Sequence, residues 1–378
     1  MSVFEHALRD IRQVLFRNSE QNAIPSMDGA LSPNERLDGF LAIGEPLPGA
    51  DDVVAGRDGE IYVSAGNQVL RLLGDKFGRR DIAATFDGAA GGLALHPDGR
   101  LLVCVAGRGL AAIDLTRPQP QPQPQWLEVV DGQALTGLTG VVAAANGAIF
   151  MVEGSMGRKP DDWCRDLLEK NHRGRLVRCE ANLSGAAVLL KDLYYPYGVV
   201  LSADQQHVWW TESWIHGVSR AAIAGNRIAA PEPVLRNLPG YPARLHLDNA
   251  GRFYLGLFGL RTHLIEFVLK EDDFRQEMLA TIPPNHWIAP ALSSGDDCLE
   301  PMQIGSVKAL GIQKPWAPPR SYGLLAHIDQ HGDVIESFHS RVGGRYHGIT
   351  AACETSQGIV AVSKGSGYAL LLATEALT

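Results

Sequence analysis

Apolar residues in this chain come in short runs separated by tight polar turns, and the pattern recurs. "DDVVAGRDGEIYVSAGNQVLRL" begins at Asp51, and "GGLALHPDGRLLVCVAGRGLAAID" begins at Gly91. "TGVVAAANGAIFMVEG" begins at Thr139 and finds its third strand after an insertion, in "GRLVRC" from Gly174. "YGVVLSADQQHVWWTESWIHGVSRAAI" begins at Tyr197, "ARLHLDNAGRFYLGLFGLRTHLIEFV" at Ala243 and "HGITAACETSQGIVAVSKGSGYALLLA" at His347. Each copy holds two apolar strands joined by a turn rich in Asp, Gly or Asn, then a third strand with alternating side chains. Asp98-Gly99 and Asn146-Gly147 suit two-residue hairpins, which need positive φ. The starts recur about every 40 to 60 residues, the period of propeller blades. Six copies predict an all-β, six-bladed β-propeller with an N-terminal helix and a long insertion before or within the last blade.

The boundaries follow. Residues 1–36 form a helix and lead-in, because Phe4, Leu8, Ile11, Val14 and Leu15 fall at helical spacing among charges of both signs. Residues 37–378 form the propeller, and "LDGFLAIG" near Leu37 is placed to pair with the C-terminal strands and close the ring. "GLLAHIDQHGDVIESF" (Gly323 to Phe338) is assigned as an outer hairpin of the sixth blade, which leaves residues 270–322 as a lid or cap insertion carrying Trp287 and Trp316. "TRPQPQPQPQW" is a polyproline-like connector.

Composition narrows the function. Apolar content of 45%, charged content of 20% and 41 glycines describe a turn-rich globular chain. A net charge of -8 gives nucleic acid no electrostatic reason to bind. No stretch approaches the roughly 20 apolar residues of a membrane span. The five cysteines lack CxxC spacing and are expected as buried thiols, with a reducing cytoplasm as the compartment. The expected partner is a small molecule, with no nucleic acid and no membrane.

No GxSxG elbow, phosphate loop or dinucleotide fingerprint is present, so any chemistry rests on acid and base groups gathered from different blades. His347 stands at a strand start expected to face the channel, either as a general acid/base or as a structural histidine on a backbone carbonyl. Tyr346 and Arg345 beside it either orient a ligand or pack. Arg244 and His246 share one face of an inner strand, either to polarise a carbonyl or bind a carboxylate, or to form a polar network between blades. Glu153 and Glu212 end the second strands of adjacent copies, where carboxylates either tie blades together or serve a site. Trp209, Trp210 and Trp214 suit packing between blades or an aromatic wall.

The stretch from "DDWCRDLLEKNHRGRLVRCE" to "YYPYGVVLSADQQHVWWTES", followed by "LPGYPARLHLDNAGRFYLGL", resembles the strictosidine synthase-like proteins, within the wider gluconolactonase and regucalcin (SMP-30) propeller group. The resemblance implies ligand binding at one mouth of a central channel, lined by the starts of the innermost strands. Lactonase members of that group hold a divalent cation, usually calcium, on Glu, Asn and Asp side chains from those starts. The corresponding places here carry Asp51 or Asp52, Thr139, Tyr197 and Ala243, so the usual calcium ligands are substituted and no metal ligand is assigned. Of Asp51 and Asp52, one faces the channel as a base or cation ligand and the other caps a turn. The condensing branch uses a glutamate near the last blade's start, and here Ile349 or Thr350 takes that place. The expected function is hydrolysis of a lactone or ester-like bond. His347, Glu212 and Asp51 are its catalytic candidates, and Tyr197, Arg244, His246, Tyr346 and Thr139 are its substrate-binding candidates. A carbonyl or imine lyase of Pictet-Spengler type and a non-catalytic binding propeller are the alternatives.

Overall fold

The structure is a computed structural model describing residues 24–115, 123–294 and 321–373, with the backbone of Lys308–Ala309 and Ile312–Gln313. The expected N-terminal amphipathic helix, most of the proline-rich connector, Cys298 and Trp316 lie outside the described residues.

Six four-stranded antiparallel sheets are arranged as blades. The inner strands of blades one to six are Ala50–Ala55, Ala90–Leu95, Leu138–Ala143, Val199–Leu201, Gly240–Leu247 and Ile349–Thr355. Blade four carries one additional short strand, Arg227–Ile228. The apolar faces interlock in clusters that cross from blade to blade. One joins Val53, Ile61 and Val63 of blade one to Ala351, Val360 and Val362 of blade six. Trp209 and Trp210, both about 1% exposed, fill the seams on either side of blade four. They pack between blades, as one of the two sequence readings has it.

Hydroxyls tie neighbouring blades together near their inner strands. Thr139 Oγ1 donates to the Pro196 carbonyl at 2.6 Å, Thr211 Oγ1 to Ala243 at 2.7 Å, and Thr350 Oγ1 to Asp51 at 2.7 Å. The third of these joins the last blade to the first. Leu41–Ala42 pairs with Tyr368–Ala373 as the outermost strand of blade six, and Ile43 and Leu47 extend the contact through their N–H groups. That arrangement caps an edge strand that would otherwise be left open.

Two local expectations are corrected. Gly323–Ile328 and Val334–Ser340 are the third and fourth strands of blade five, not an outer hairpin of blade six. The long insertion therefore splits blade five between its second and third strands. "HLIEFV", expected as that blade's third strand, is the helix His263–Val268, opened by the Thr262 side chain, which accepts the Ile265 N–H. Its apolar residues Ile265 and Val268 lie on one buried face. That helix and Asp272–Thr281 meet a second insertion, the helix Trp163–Leu168 from blade three, in a cluster of Leu168, Val268, Met278 and Trp287. Lys170 pairs with Asp272 at 2.7 Å, and Arg275 donates to the Leu168 carbonyl.

Candidate active site at the channel mouth

Each of five inner strands carries a register shift near the end where it enters the channel, at Ala50/Asp52, Ala90/Leu93, Leu138/Gly140, Tyr241 to Leu245, and Ile349/Ala351. A bulge turns two consecutive side chains away from strict alternation. In blade one, Asp51 and Asp52 therefore both reach the charged cluster of the channel, and neither only caps a turn. The close approach of the strands also constrains side chains. At Gly198, in the "YG" after Pro196, a Cβ would lie 2.6 Å from the Arg244 Cα.

Arg244 occupies the channel centre and is 4% exposed. Its Nη2 donates to Asp51 Oδ2 at 2.6 Å and to the Thr139 carbonyl at 2.6 Å, and its Nη1 donates to the Asp51 carbonyl at 2.8 Å. Nε donates to the Thr139 carbonyl at 3.1 Å and lies 3.4 Å from Asp52 Oδ2. The Tyr197 ring covers the guanidinium at 4.8 Å. Asp51 Oδ1 accepts from the Tyr197 hydroxyl at 3.0 Å and from Lys364 Nζ at 2.7 Å. Burial alone would raise the Asp51 carboxyl, but Arg244 and Lys364 overcome it and hold the group well below the usual carboxylate range. Burial and the Asp51 charge push the Tyr197 phenol up to about 12. Burial would lower the Lys364 ammonium, and Asp51 outweighs this to hold it above the usual lysine value.

Around Tyr197 stands an aromatic group of Tyr195, Tyr241 and Phe258, with Trp163, Trp214 and Leu292 packed against it. Tyr195 and Trp214 stack at 4.4 Å. Trp163 and Leu292 come from the two insertions, so those segments cover the strand starts.

His347 lies beside Lys364 at the same end of blade six, with Lys364 N–H donating to the Gly348 carbonyl and Gly365 N–H to that of His347. Its Nε2 is 3.0 Å from the Arg341 carbonyl and its Nδ1 is 2.7 Å from Ser321 Oγ. A carbonyl only accepts, so Nε2 carries the proton and Nδ1 accepts the Ser321 hydroxyl. Ser294 Oγ lies 2.9 Å from Ser321 Oγ and accepts the Ser321 N–H at 2.8 Å. His347 thus makes a carbonyl contact and also a contact to a hydroxyl.

The other candidates separate. His246 donates from Nε2 to Asp52 Oδ1 at 3.0 Å and lines a cavity of ≈ 200 Å³ together with Arg244, Asp52, Leu93, Val141 and Val200. The Thr139 hydroxyl is spent on the bond between blades, leaving only its carbonyl to the centre. Glu212 is a correction: Oε2 accepts the Tyr194 N–H at 2.9 Å and Oε1 the Trp210 indole N–H at 3.3 Å, so it braces the lead-in to blade four. Burial raises its carboxyl. Glu153 does the same in blade three, accepting from Thr136 and Gly137 N–H and from Arg175 Nε. Tyr346 is also corrected. Its ring enters the apolar cluster of Leu37, Phe40 and Phe338 and meets Tyr368, where it buries its apolar face.

Lys364 and Ser321 were not among the residues singled out from the sequence. Lys364 was findable, since it follows an apolar second strand at the end where Glu153 and Glu212 close theirs. Ser321 had no local signal.

The calcium site implied by the resemblance does not fit these residues. Among the described residues no group of three or more His, Cys, Asp or Glu is placed to hold a metal ion. The channel carboxylates already pair with a guanidinium, and the phenol of Tyr197 and the methyl of Ala243 replace oxygen ligands. Ile349 is fully buried in the core and Thr350 is engaged in tying blades together, so the condensing branch's glutamate has no counterpart there.

Strand order and channel define a six-bladed propeller of the gluconolactonase and regucalcin shape. Within it, residues 140–226 match the family model described as strictosidine synthase. The strictosidine synthase-like protein 6 of Arabidopsis thaliana is 30% identical over 166 residues, 44% of this chain and 43% of the relative. The chain spans less than half the length of that relative in the matched region. Adipocyte plasma membrane-associated protein of Danio rerio is 22% identical over 303 residues, 74% of this chain and 73% of that protein. Among solved structures, a gluconolactonase from Xanthomonas campestris superposes with a TM-score of 0.57 at 11% identity, covering 88% of this chain and 89% of that one. A regucalcin from Agrobacterium tumefaciens, described as calcium-binding, gives 0.55 at 10%, covering 88% and 95%. At such identities the likeness establishes the fold. No helix among the described residues is long and apolar enough to cross a membrane.

Proposed function

We propose that this propeller hydrolyses a lactone or related ester-like bond of a small molecule without a metal ion. The observation that carries the reading is the 2.7 Å contact between Ser321 Oγ and His347 Nδ1, with the opposite ring nitrogen fixed on the Arg341 carbonyl. A hydroxyl paired with an oriented imidazole is the arrangement of an activated nucleophile. Nδ1 takes the hydroxyl proton as Ser321 Oγ attacks the carbonyl carbon. The same proton then passes to the departing alkoxide, leaving an acyl-serine that water cleaves by the reverse transfer. Lys364, 23% exposed and held as an ammonium by Asp51, supplies positive charge toward the mouth for a developing oxyanion. Arg244 and Tyr197 hold Asp51 in place.

The gluconolactonase neighbours support the substrate class. Against the condensing branch, Ile349 and Thr350 stand where its glutamate is expected, and against a lysine Schiff base, Lys364 is kept protonated and lacks the free electron pair. The test is a panel of lactones, esters and amine-aldehyde pairs, assayed with and without chelator. Hydrolysis that survives chelator and falls roughly 100-fold or more in His347→Ala is expected, together with fluorophosphonate labelling at Ser321. Turnover confined to amine-aldehyde pairs, or unchanged hydrolysis in His347→Ala, would sink it.

A further inference from the structure

We infer that Arg244 is this propeller's own resident cation, and that it fills an oxygen cage which would otherwise take a hard divalent ion. The guanidinium is surrounded by Asp51 Oδ2, the Asp51 carbonyl, the Thr139 carbonyl and Asp52 Oδ2, all within 3.4 Å of one of its nitrogens. Two carboxylates and two carbonyls are the oxygen set preferred by calcium, which takes about six to eight such ligands, some of them water. None of the four comes from a flexible surface segment: all belong to register-shifted strand starts, three from Asp51 and Asp52 of blade one and one from Thr139 of blade three. Asp52 is further fixed by the N–H groups of Leu93 and Val53 at 2.7 and 2.8 Å, and the Asp51 carbonyl by Thr350. Asp52 and the Asp51 carbonyl are thus held without the arginine, and Tyr197 and Lys364 hold the other Asp51 oxygen.

A planar fork suits this role better than an ion. It serves the two carbonyls and the Asp51 carboxylate at once, stays charged at any physiological pH, and cannot dissociate. Lys364 on the other Asp51 oxygen adds a second positive charge, which further disfavours a divalent ion while Arg244 is in place. Removing the side chain reverses the balance. Two buried carboxylates then lack their shared partner, and the space left is lined with oxygen.

The inference concerns the channel centre and does not depend on which bond is hydrolysed, so its readout is thermal stability and bound metal. The full-length protein is to be melted with EDTA and with millimolar calcium chloride, and its metal content measured after equilibrium dialysis. The unsubstituted chain is expected to keep its Tm within roughly 1 °C and to hold no stoichiometric calcium. Arg244→Ala is expected to melt lower, to regain roughly 5 °C or more in calcium, and to be rescued by methylguanidinium but not by methylammonium. Should Arg244→Ala not fold, Arg244→Gln, which also removes the charge, and Asp51→Asn in the otherwise unchanged chain decide. The inference is overturned if the unsubstituted chain binds one calcium that Asp51→Asn abolishes, or if neither Arg244→Ala nor Arg244→Gln responds to calcium more than the parent.

Discussion

Glu153 and Glu212 sit at equivalent ends of neighbouring blades, and both use their carboxylates on the backbone that leads into their own blade. Glu153 adds a buried partner, Arg175, at 2.7 Å with side chains 0% and 2% exposed. Desolvating both charges makes such a pair a weak net contributor, whereas removing one partner strands the other. Arg175→Met is therefore expected to cost about 3–5 kcal/mol in urea unfolding, with the double replacement Glu153→Gln/Arg175→Met, which keeps an oxygen for the Thr136 and Gly137 N–H groups, recovering much of it. Equal losses in the single and double variants would show that the pair is not the source. At the same scale, Asp51 contributes stability that is fully present above the usual carboxylate range. It is lost only as pH falls below that range, because its folded-state value is depressed.

At the scale of elements, the ring depends on a very short strand. Leu41–Ala42 contributes little apolar burial, since both residues are exposed. Its value lies in covering the N–H and C=O groups of Tyr368–Ala373. Ile43 continues the ladder by donating to the Ala369 carbonyl at 2.8 Å. Ile43→Pro removes that donor. A lower Tm is expected, with hydrogen exchange speeding up first in Tyr368–Ala373; uniform acceleration over all six blades would contradict the proposed local closure. The two insertions form the other element-scale feature. Helices from blades three and five cover the aromatic strand starts together, which places Trp163 and Leu292 against Tyr197's neighbours.

For the whole molecule, the pH limits of stability follow from buried groups spread over several blades. His339 accepts the Tyr322 hydroxyl at Nδ1 and donates from Nε2 to Ser337, so its neutral form is fully satisfied. Burial lowers it to about 4, and burial with Arg261 nearby lowers His216 to about 4. The unfolded chain binds these protons from about pH 6.5 downward. Stability is thus complete above that pH and declines as pH falls toward about 4. At the alkaline side, Tyr197 and Tyr62 are raised to about 12, so their contribution is full below about pH 10 and lost as pH rises through 12. A urea midpoint flat from pH 7 to 4, or unaltered in slope by His339→Asn, would refute the acid-side assignment.

The sequence by itself determined the architecture, because hairpin turns and apolar alternation are local properties that recur six times. It also placed Asp51, Tyr197, Arg244 and His347 near strand starts. It misassigned the hairpin from Gly323, since nothing local distinguishes the third strand of one blade from the outer strand of the next. Only the tertiary structure decided which side chains meet. Arg244 and Asp51 lie 193 positions apart, and Lys364 and Asp51 lie 313 apart. The bulges that aim them break the period-two rule at the very residues where chemistry is expected. Closing the ring converts a would-be cation ligand set into a guanidinium's cage, and that outcome depends on six strand ends converging, which no single stretch encodes.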